Sequence, residues 1–249
     1  MEVHHHPDLH HKKKNFKEYF LEFLMIFLAV TLGFIAENIR EHLADKTKEI
    51  DFIVSLKEDV LSDTASLQRV IPENQLQFEK LDSLYSLLQL VIQGKPFSIE
   101  RLYYLNFRYG YGLLYFSANE RTISQIKSTA SFDLIKRDSI TEYENRNEQR
   151  MPLDVQGLKE WTDDLDNLSE KIFDYSLVKT FWFYGGADVF LNDSLQLEIS
   201  SDKQLLKEYG NKVRSLMMMV NVLEHAEQDQ LIKAKNLIAT LNKDYHLKN

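Results

Sequence analysis

The chain has 249 residues, a formal net charge of −8 and no cysteine. That length holds a membrane anchor and one domain with a sizeable core, and the acidic balance argues against a nucleic-acid binder. Without cysteine there are no disulfides, no thiol catalysis and no cysteine metal sites, which is compatible with either side of a bacterial membrane. Only eight glycines and four prolines interrupt a chain rich in Leu, Lys, Glu, Asp and Ser, as in a helix-dominated fold.

Residues 1–18 open with MEVHHHPDLHHKKK and read as a disordered His/Lys-rich cytoplasmic tail. His4, His5, His6, His10 and His11 could bind a transition metal as neutral imidazoles. A solvated tail whose basic residues hold the topology is the simpler reading. Lys12, Lys13 and Lys14 would each favour an anionic leaflet by roughly 1 kcal/mol.

Residues 19–36, YFLEFLMIFLAVTLGFIA, are the one run long and apolar enough to leave water. As a helix rising about 1.5 Å per residue it spans roughly 27 Å, close to the hydrocarbon thickness of a bilayer. Glu22 is the ionisable group inside it, one turn from the start. It either sits at headgroup level or is a buried carboxylate in an oligomer. Glu22, Ala29 and Gly33 share one side, and Ala29-xxx-Gly33 is a small-xxx-small pair that lets two backbones approach. A cleaved signal peptide fits poorly, because Glu18 and Glu22 spoil its charge pattern and no clean cleavage site follows. Lys12, Lys13, Lys14 and Lys17 upstream slightly outweigh Arg40, Lys46 and Lys48 downstream. That small bias favours the N-terminus in the cytoplasm, with the larger domain facing the periplasm or exterior; a bacterial inner membrane with a periplasmic domain is the expectation.

Residues 37–249 form the predicted helical stalk and bundle. The stalk is expected to reach about Arg69, with Ile39, Leu43, Ile50, Ile53, Val60 and Leu67 recurring at threes, fours and sevens. Pro72 is expected to end or kink it. A second helix follows over 73–93, closed by Gly94-Lys95-Pro96, and Ser98 caps a short helix over 99–105. The aromatic stretch 103–116 contains Tyr109, Tyr111 and Tyr115. It is a candidate partner surface, although a packed aromatic core under a loop is the plainer expectation.

Helices are expected over 121–127 and 132–146, a loop over 145–154, and a helix over 155–183. Residues 187–201 read as an irregular connection with room for a short strand at 195–199. A long helix over 202–242 ends the chain, with Leu206, Tyr209, Val213, Leu216, Val220 and Leu237 in its stripe. Met217-Met218-Met219 suggests core filling plus one exposed methionine, with an adaptable binding face as the alternative.

No phosphate-cradling glycine loop, HExxH, GxSxG or dinucleotide fingerprint is present. The expectation is therefore no enzyme, no cofactor and no metal site. Residues 122–143, TISQIKSTASFDLIKRDSITEY, resemble an uncharacterised family of bacterial single-pass membrane proteins. The matching positions are Thr122, Ser128, Leu134-Ile135, Ile140 and Tyr143, with Ala130-Ser131 where the family has glycine. The anchor and its run into ENIREH at 37–42 also resemble that family. The resemblance implies architecture and a membrane location, with no activity attached.

Together these features predict an all-α protein: a transmembrane helix extended into a stalk, then an antiparallel helical bundle. The function expected is a membrane-tethered, non-enzymatic interaction or scaffold role. Its partners would be the lipid bilayer and either further copies of itself or another membrane protein. A pore-forming oligomer with Glu22 facing the lumen and a small-ligand sensor acting through a partner are the alternatives.

Overall fold

A computed structural model describes residues 15–128, 140, 141, 143, 155–183, 186–191 and 196–247. The tail histidines, the loop expected at 145–154 and most of the helix expected at 132–146 lie outside the described residues. The elements in order are α1 (Phe16–Gln93), α2 (Ile99–Tyr109), α3 (Arg121–Ser128), α4 (Val155–Glu170), strands β1 (Val178–Phe183) and β2 (Gly186–Leu191), and α5 (Lys203–Asp244). The class is all-α, with one two-stranded antiparallel hairpin between α4 and α5.

The chain divides into two units, Met1–Asp51 and Phe52–Asn249. In the first, α1 carries an 18-residue stretch long and apolar enough to cross a membrane, none of it buried within the chain. Phe23 stacks on Phe27, Thr31 Oγ1 donates to the Phe27 carbonyl, and Arg40 pairs with Glu37 one turn away. Ile39 and Leu43 of the expected stalk stripe are 56% and 59% exposed.

In the second unit α5 runs antiparallel to α1. Ile53, Leu56 and Val60 near the start of this unit pack with Ala234, Leu237 and Leu241 from the end of α5. Leu81, Leu84 and Leu88 at the other end of α1 pack with Leu206, Tyr209 and Val213 from its start. The second cluster also takes in Leu102, Tyr103, Leu105 and Phe107 of α2 and Leu165 of α4. A small cluster of Leu67, Ile71 and Phe116 lies between the two.

The sequence predicts an end or a kink at Pro72 and a second helix over 73–93; the helix does not end there, and α1 continues through Pro72 to Gln93. A proline inside a helix loses one backbone hydrogen bond and crowds the carbonyl four residues back, costing about 3 kcal/mol. Buried neighbours offset that loss. Leu67, Val70 and Ile71 before it, and Asn74, Gln77 and Leu81 after it, are all buried. Each aliphatic side chain so buried contributes about 1.5–3 kcal/mol. The helix ends where the glycine predicts. Gly94 has φ +67, its N–H bonds the Val91 carbonyl, and Lys95 N–H reaches back to Leu90, the pair of bonds that closes a Schellman turn.

Ser98 caps α2 through Arg101 N–H at 3.1 Å, and Asp202 caps α5 through Gln204 and Leu205 N–H. The expectation of one helix over 155–183 is corrected. α4 stops at Glu170, a 3₁₀ turn spans Tyr175–Leu177, and residues from Val178 pair as strands. The run Val178-Lys179-Thr180-Phe181-Trp182-Phe183 is β-branched and aromatic, which favours extended backbone once packing allows it. The expected strand at 195–199 is reduced, among the described residues, to one bridge between Phe173 and Ile199. Met217 is buried and Met218 exposed, which is the core-filling arrangement.

Pro72→Ala restores a donor to a continuous, packed helix. It is expected to raise the unfolding free energy of the full chain in detergent by about 1–3 kcal/mol, measured by urea titration of tryptophan fluorescence. A chain whose helix broke at this point would show no gain.

Candidate functional site: a crossing segment clasped by buried polar side chains

Residues 110–120 join α2 to α3 outside any helix or strand, turning at Gly112 with φ +65. Such a segment, laid against helices, must find partners for its own N–H and carbonyl groups. Four polar side chains of α1 and one of α5 supply them. Gln77 Nε2 donates to the carbonyls of Tyr109 at 3.1 Å and Gly112 at 3.0 Å. Asn74 Nδ2 donates to the Leu114 carbonyl at 3.0 Å and to Glu227 Oε2 at 2.8 Å. Phe116 N–H donates to Glu227 Oε1 at 3.0 Å while its ring fills the space beside Leu67 and Ile71. Asn119 N–H donates to Asp63 Oδ1 at 2.9 Å, and Asn119 Nδ2 to Asp59 Oδ1 at 2.9 Å. Thr122 N–H closes the series on Asp59 Oδ2 at 3.0 Å.

Asp59, Asp63, Asn74 and Gln77 lie within about 60° of one another around α1 at 100° per residue, and all four are buried. Buried Leu56, Val70, Leu81 and Leu88 fall in the same arc, so the polar stripe is set within the buried face. The charge in this stripe is unevenly balanced. Arg121 Nη2 reaches Asp59 Oδ1 at 2.9 Å, but the guanidinium is largely exposed and its attraction is screened. Tyr143 Oη donates to Asp63 Oδ2 at 2.7 Å. Burial raises the Asp63 carboxyl above the usual range, and the hydrogen bonds from Tyr143 and Asn119 only partly counter it. Glu227 is 0% exposed and is likewise raised, first by burial, against the bonds from Asn74 and Phe116. Asn74 Oδ1 is buried without a partner among the described residues.

A second network lies under the start of the segment. Tyr209 Oη donates to Asn106 Oδ1, and Asn106 Nδ2 donates to Ser169 Oγ at 3.0 Å. Tyr111 Oη bonds Ser169 Oγ at 3.0 Å and meets the Tyr175 hydroxyl. Burial pushes the Tyr111 and Tyr209 hydroxyls far up, so they stay protonated and act as hydrogen-bonding anchors rather than bases. Asp166 beside them is raised to about 6, by burial first and then by Asp163 and Glu170.

The residues singled out from sequence fall in two places. Glu22, Ala29 and Gly33 are exposed on α1 in the first unit, and a Cβ added at Gly33 meets nothing within 4 Å. Tyr109 and Tyr111 are partly buried against the second unit's core, Tyr109 edge-on to Tyr104 and under the Arg108 guanidinium. Tyr115 is 47% exposed and stands with exposed Leu114. Sequence reading missed Asp59, Asp63, Asn74, Gln77 and Glu227. Their signal was a set of polar residues at helical spacing on one side of α1, which reads equally well as a solvated face. Among the described residues no three His, Asp or Glu side chains converge as metal ligands. A depression of about 630 Å³ along α5, lined by Val222, His225, Asp229 and Ile232, lies open to solvent.

No family model matches the chain, and neither a curated protein nor a solved structure matches it.

Glu227→Ala strands Phe116 N–H and one Asn74 donor in the interior. It is expected to cost about 2–3 kcal/mol, read from urea midpoints. Glu227→Gln keeps one acceptor, removes the buried charge and should lose less than half as much. The pH dependence follows from the raised carboxyls. The folded chain binds more protons than the unfolded one between the ordinary carboxylate range and the raised values. Stability from these groups is therefore full below that range and is lost as pH rises through about 6 for Asp166. Asp166→Asn should stabilise the chain at pH 7 by about 1–2 kcal/mol, after allowing for its partial exposure. It should also flatten the stability profile between about pH 4 and 6, measured by urea titration across that range.

Proposed function

We propose that this chain is a membrane-tethered, non-enzymatic interaction or scaffold protein that presents a helical domain at the membrane surface. One observation carries the reading. The 18-residue apolar stretch of α1 is wholly unburied within the chain. Phe23, Ile26, Phe27, Leu32 and Phe34 are all exposed on it, more apolar surface than a soluble chain leaves to water. The domain that follows supports a binding role. Its buried carboxylates and hydroxyls bond to its own backbone and to one another, as a fold-holding network does. Tyr115 and Leu114, adjacent in the clasped segment, are both exposed, side chains of the kind that partner surfaces favour.

The lysine-rich flank supports a cytoplasmic N-terminus with the domain in the periplasm, and the resemblance at 122–143 supports a bacterial membrane location. The reading is tested by fractionating cells that express the full chain. Retention in the pellet after alkaline carbonate, with release by detergent, is expected. Extraction by carbonate alone would overturn it. The detergent complex should then contain either further copies or a stoichiometric membrane protein. Ion conductance abolished by Glu22→Gln in reconstituted bilayers would replace the scaffold reading with a pore.

A further inference from the structure

The first unit of α1 carries a second pattern. Ala29, Leu32, Ala36, Ile39, Leu43 and Ile50 fall at alternating spacings of three and four, as the a and d positions of a heptad. All six are exposed. The remaining position of the series, Lys46, is exposed as well, and the next one, Ile53, belongs to the second unit, where it is buried. The seam thus runs from the apolar stretch into the water-facing helix without changing phase. A period of 3.5 rather than 3.6 residues is the signature of a helix that supercoils with another helix, since a straight helix would let the stripe drift by about 20° per heptad.

We propose that the seam from Ala29 to Ile50 is covered by a second copy of this chain, parallel and in register. The inference rests on the membrane-tethered reading and names the partner that reading leaves open. Two copies inserted in one bilayer point the same way and sit at the same depth. That geometry sets each seam residue opposite its own counterpart, the self-complementary arrangement of a two-fold interface. Confinement to the membrane supplies the concentration that the water-facing part, too short to pair by itself, does not. Inside the bilayer Ala29 and Ala36 are small enough for close backbone approach, with Gly33 beside them. Outside it Ile39, Leu43 and Ile50 supply the apolar contact.

The flanks raise no like-charge clash. In a parallel pair Ile35 comes opposite Arg40 and His42 opposite Thr47, and Arg40 is already held by Glu37 of its own helix. Lys46 covers the seam with its aliphatic stem and keeps its ammonium in water, a polar position of the kind that fixes register at some cost in stability. Glu22 falls one heptad ahead of Ala29, at the predicted membrane boundary, where water reaches the carboxylates.

The chain contains no cysteine, so single-cysteine variants of the full protein report the seam directly. Ile39→Cys, Leu43→Cys and Ile50→Cys lie on the seam; Glu41→Cys and Lys48→Cys lie on the opposite face. All five sites are exposed, so the core of the second unit is untouched. After mild oxidation in native membranes, disulfide-linked dimer is expected at 39, 43 and 50, at least five-fold above 41 and 48, because paired seam positions lie within bridging distance and outer ones do not. Adding Leu43→Glu to Ile39→Cys should lower the dimer yield several-fold. Equal linkage at all five sites, none at any, or linkage to a different protein would overturn the inference. With the chain still resistant to carbonate, any of those results leaves the membrane-tethered reading standing; carbonate extraction removes both.

Discussion

The second unit depends on how one connecting segment is held. Residues 110–120 pass α1 and α5 between two apolar clusters with no β-ladder to bond them; Gly110 and Phe116 are buried, while Leu114, Tyr115 and Asn119 keep an exposed side. Burying unbonded peptide groups there would cost about 1–3 kcal/mol each. The chain avoids this by giving one side of α1 four polar side chains and α5 a fully buried glutamate. Phe116 fixes the middle of the segment by packing with Leu67 and Ile71, while its N–H holds Glu227. Each element therefore constrains another. α1 sets the polar stripe, the stripe sets the path of the segment, and the segment delivers Ile123 and Ile126 of α3 into the far apolar cluster.

This arrangement also explains why the interior has an acid-leaning balance. Asp59, Asp63 and Glu227 are chosen as acceptors because the segment presents N–H donors at Phe116, Asn119 and Thr122. Carboxylates accept such bonds strongly, and each bond to a charged group is worth about 1.5–3 kcal/mol. The penalty is desolvation, visible as raised carboxyl values at Asp63 and Glu227. Glu227 Oε1 accepts from the Phe116 backbone N–H and Oε2 from the Asn74 side-chain amide, so both oxygens are engaged.

Much of the fold was legible from residue spacing. The stripe Leu206, Tyr209, Val213, Leu216 and Val220 placed the buried face of α5, and Ser98, Gly94 and Asp202 marked helix ends where they occur. Two features were hidden for physical reasons. Pro72 carries a strong local stop signal, and only tertiary burial of its neighbours overrides it. The strand at Val178 continues a helix-like apolar spacing, and local sequence does not tell a buried strand from a buried helix; the strand at Gly186 falls largely in a stretch read as an irregular connection. The clasp was invisible because Asp59 and Asn74 are polar on both a solvated and a buried face; only the segment laid against them distinguishes the two. The apolar stretch at 19–36 needed no tertiary information, since its length and composition alone suit a bilayer.

The most direct test of this account is amide hydrogen exchange on the full chain in detergent, resolved to single residues along 110–122. Phe116, Asn119 and Thr122 N–H groups lie outside regular helix hydrogen bonding, yet are bound to buried carboxylates. They should exchange as slowly as the amides of Val213 and Leu216 in the core of α5, and open only with the whole unit. Exchange at the rate of an exposed loop would mean that the side chains of α1 and α5 do not hold the segment, and the clasp would be lost as the organising feature of the domain.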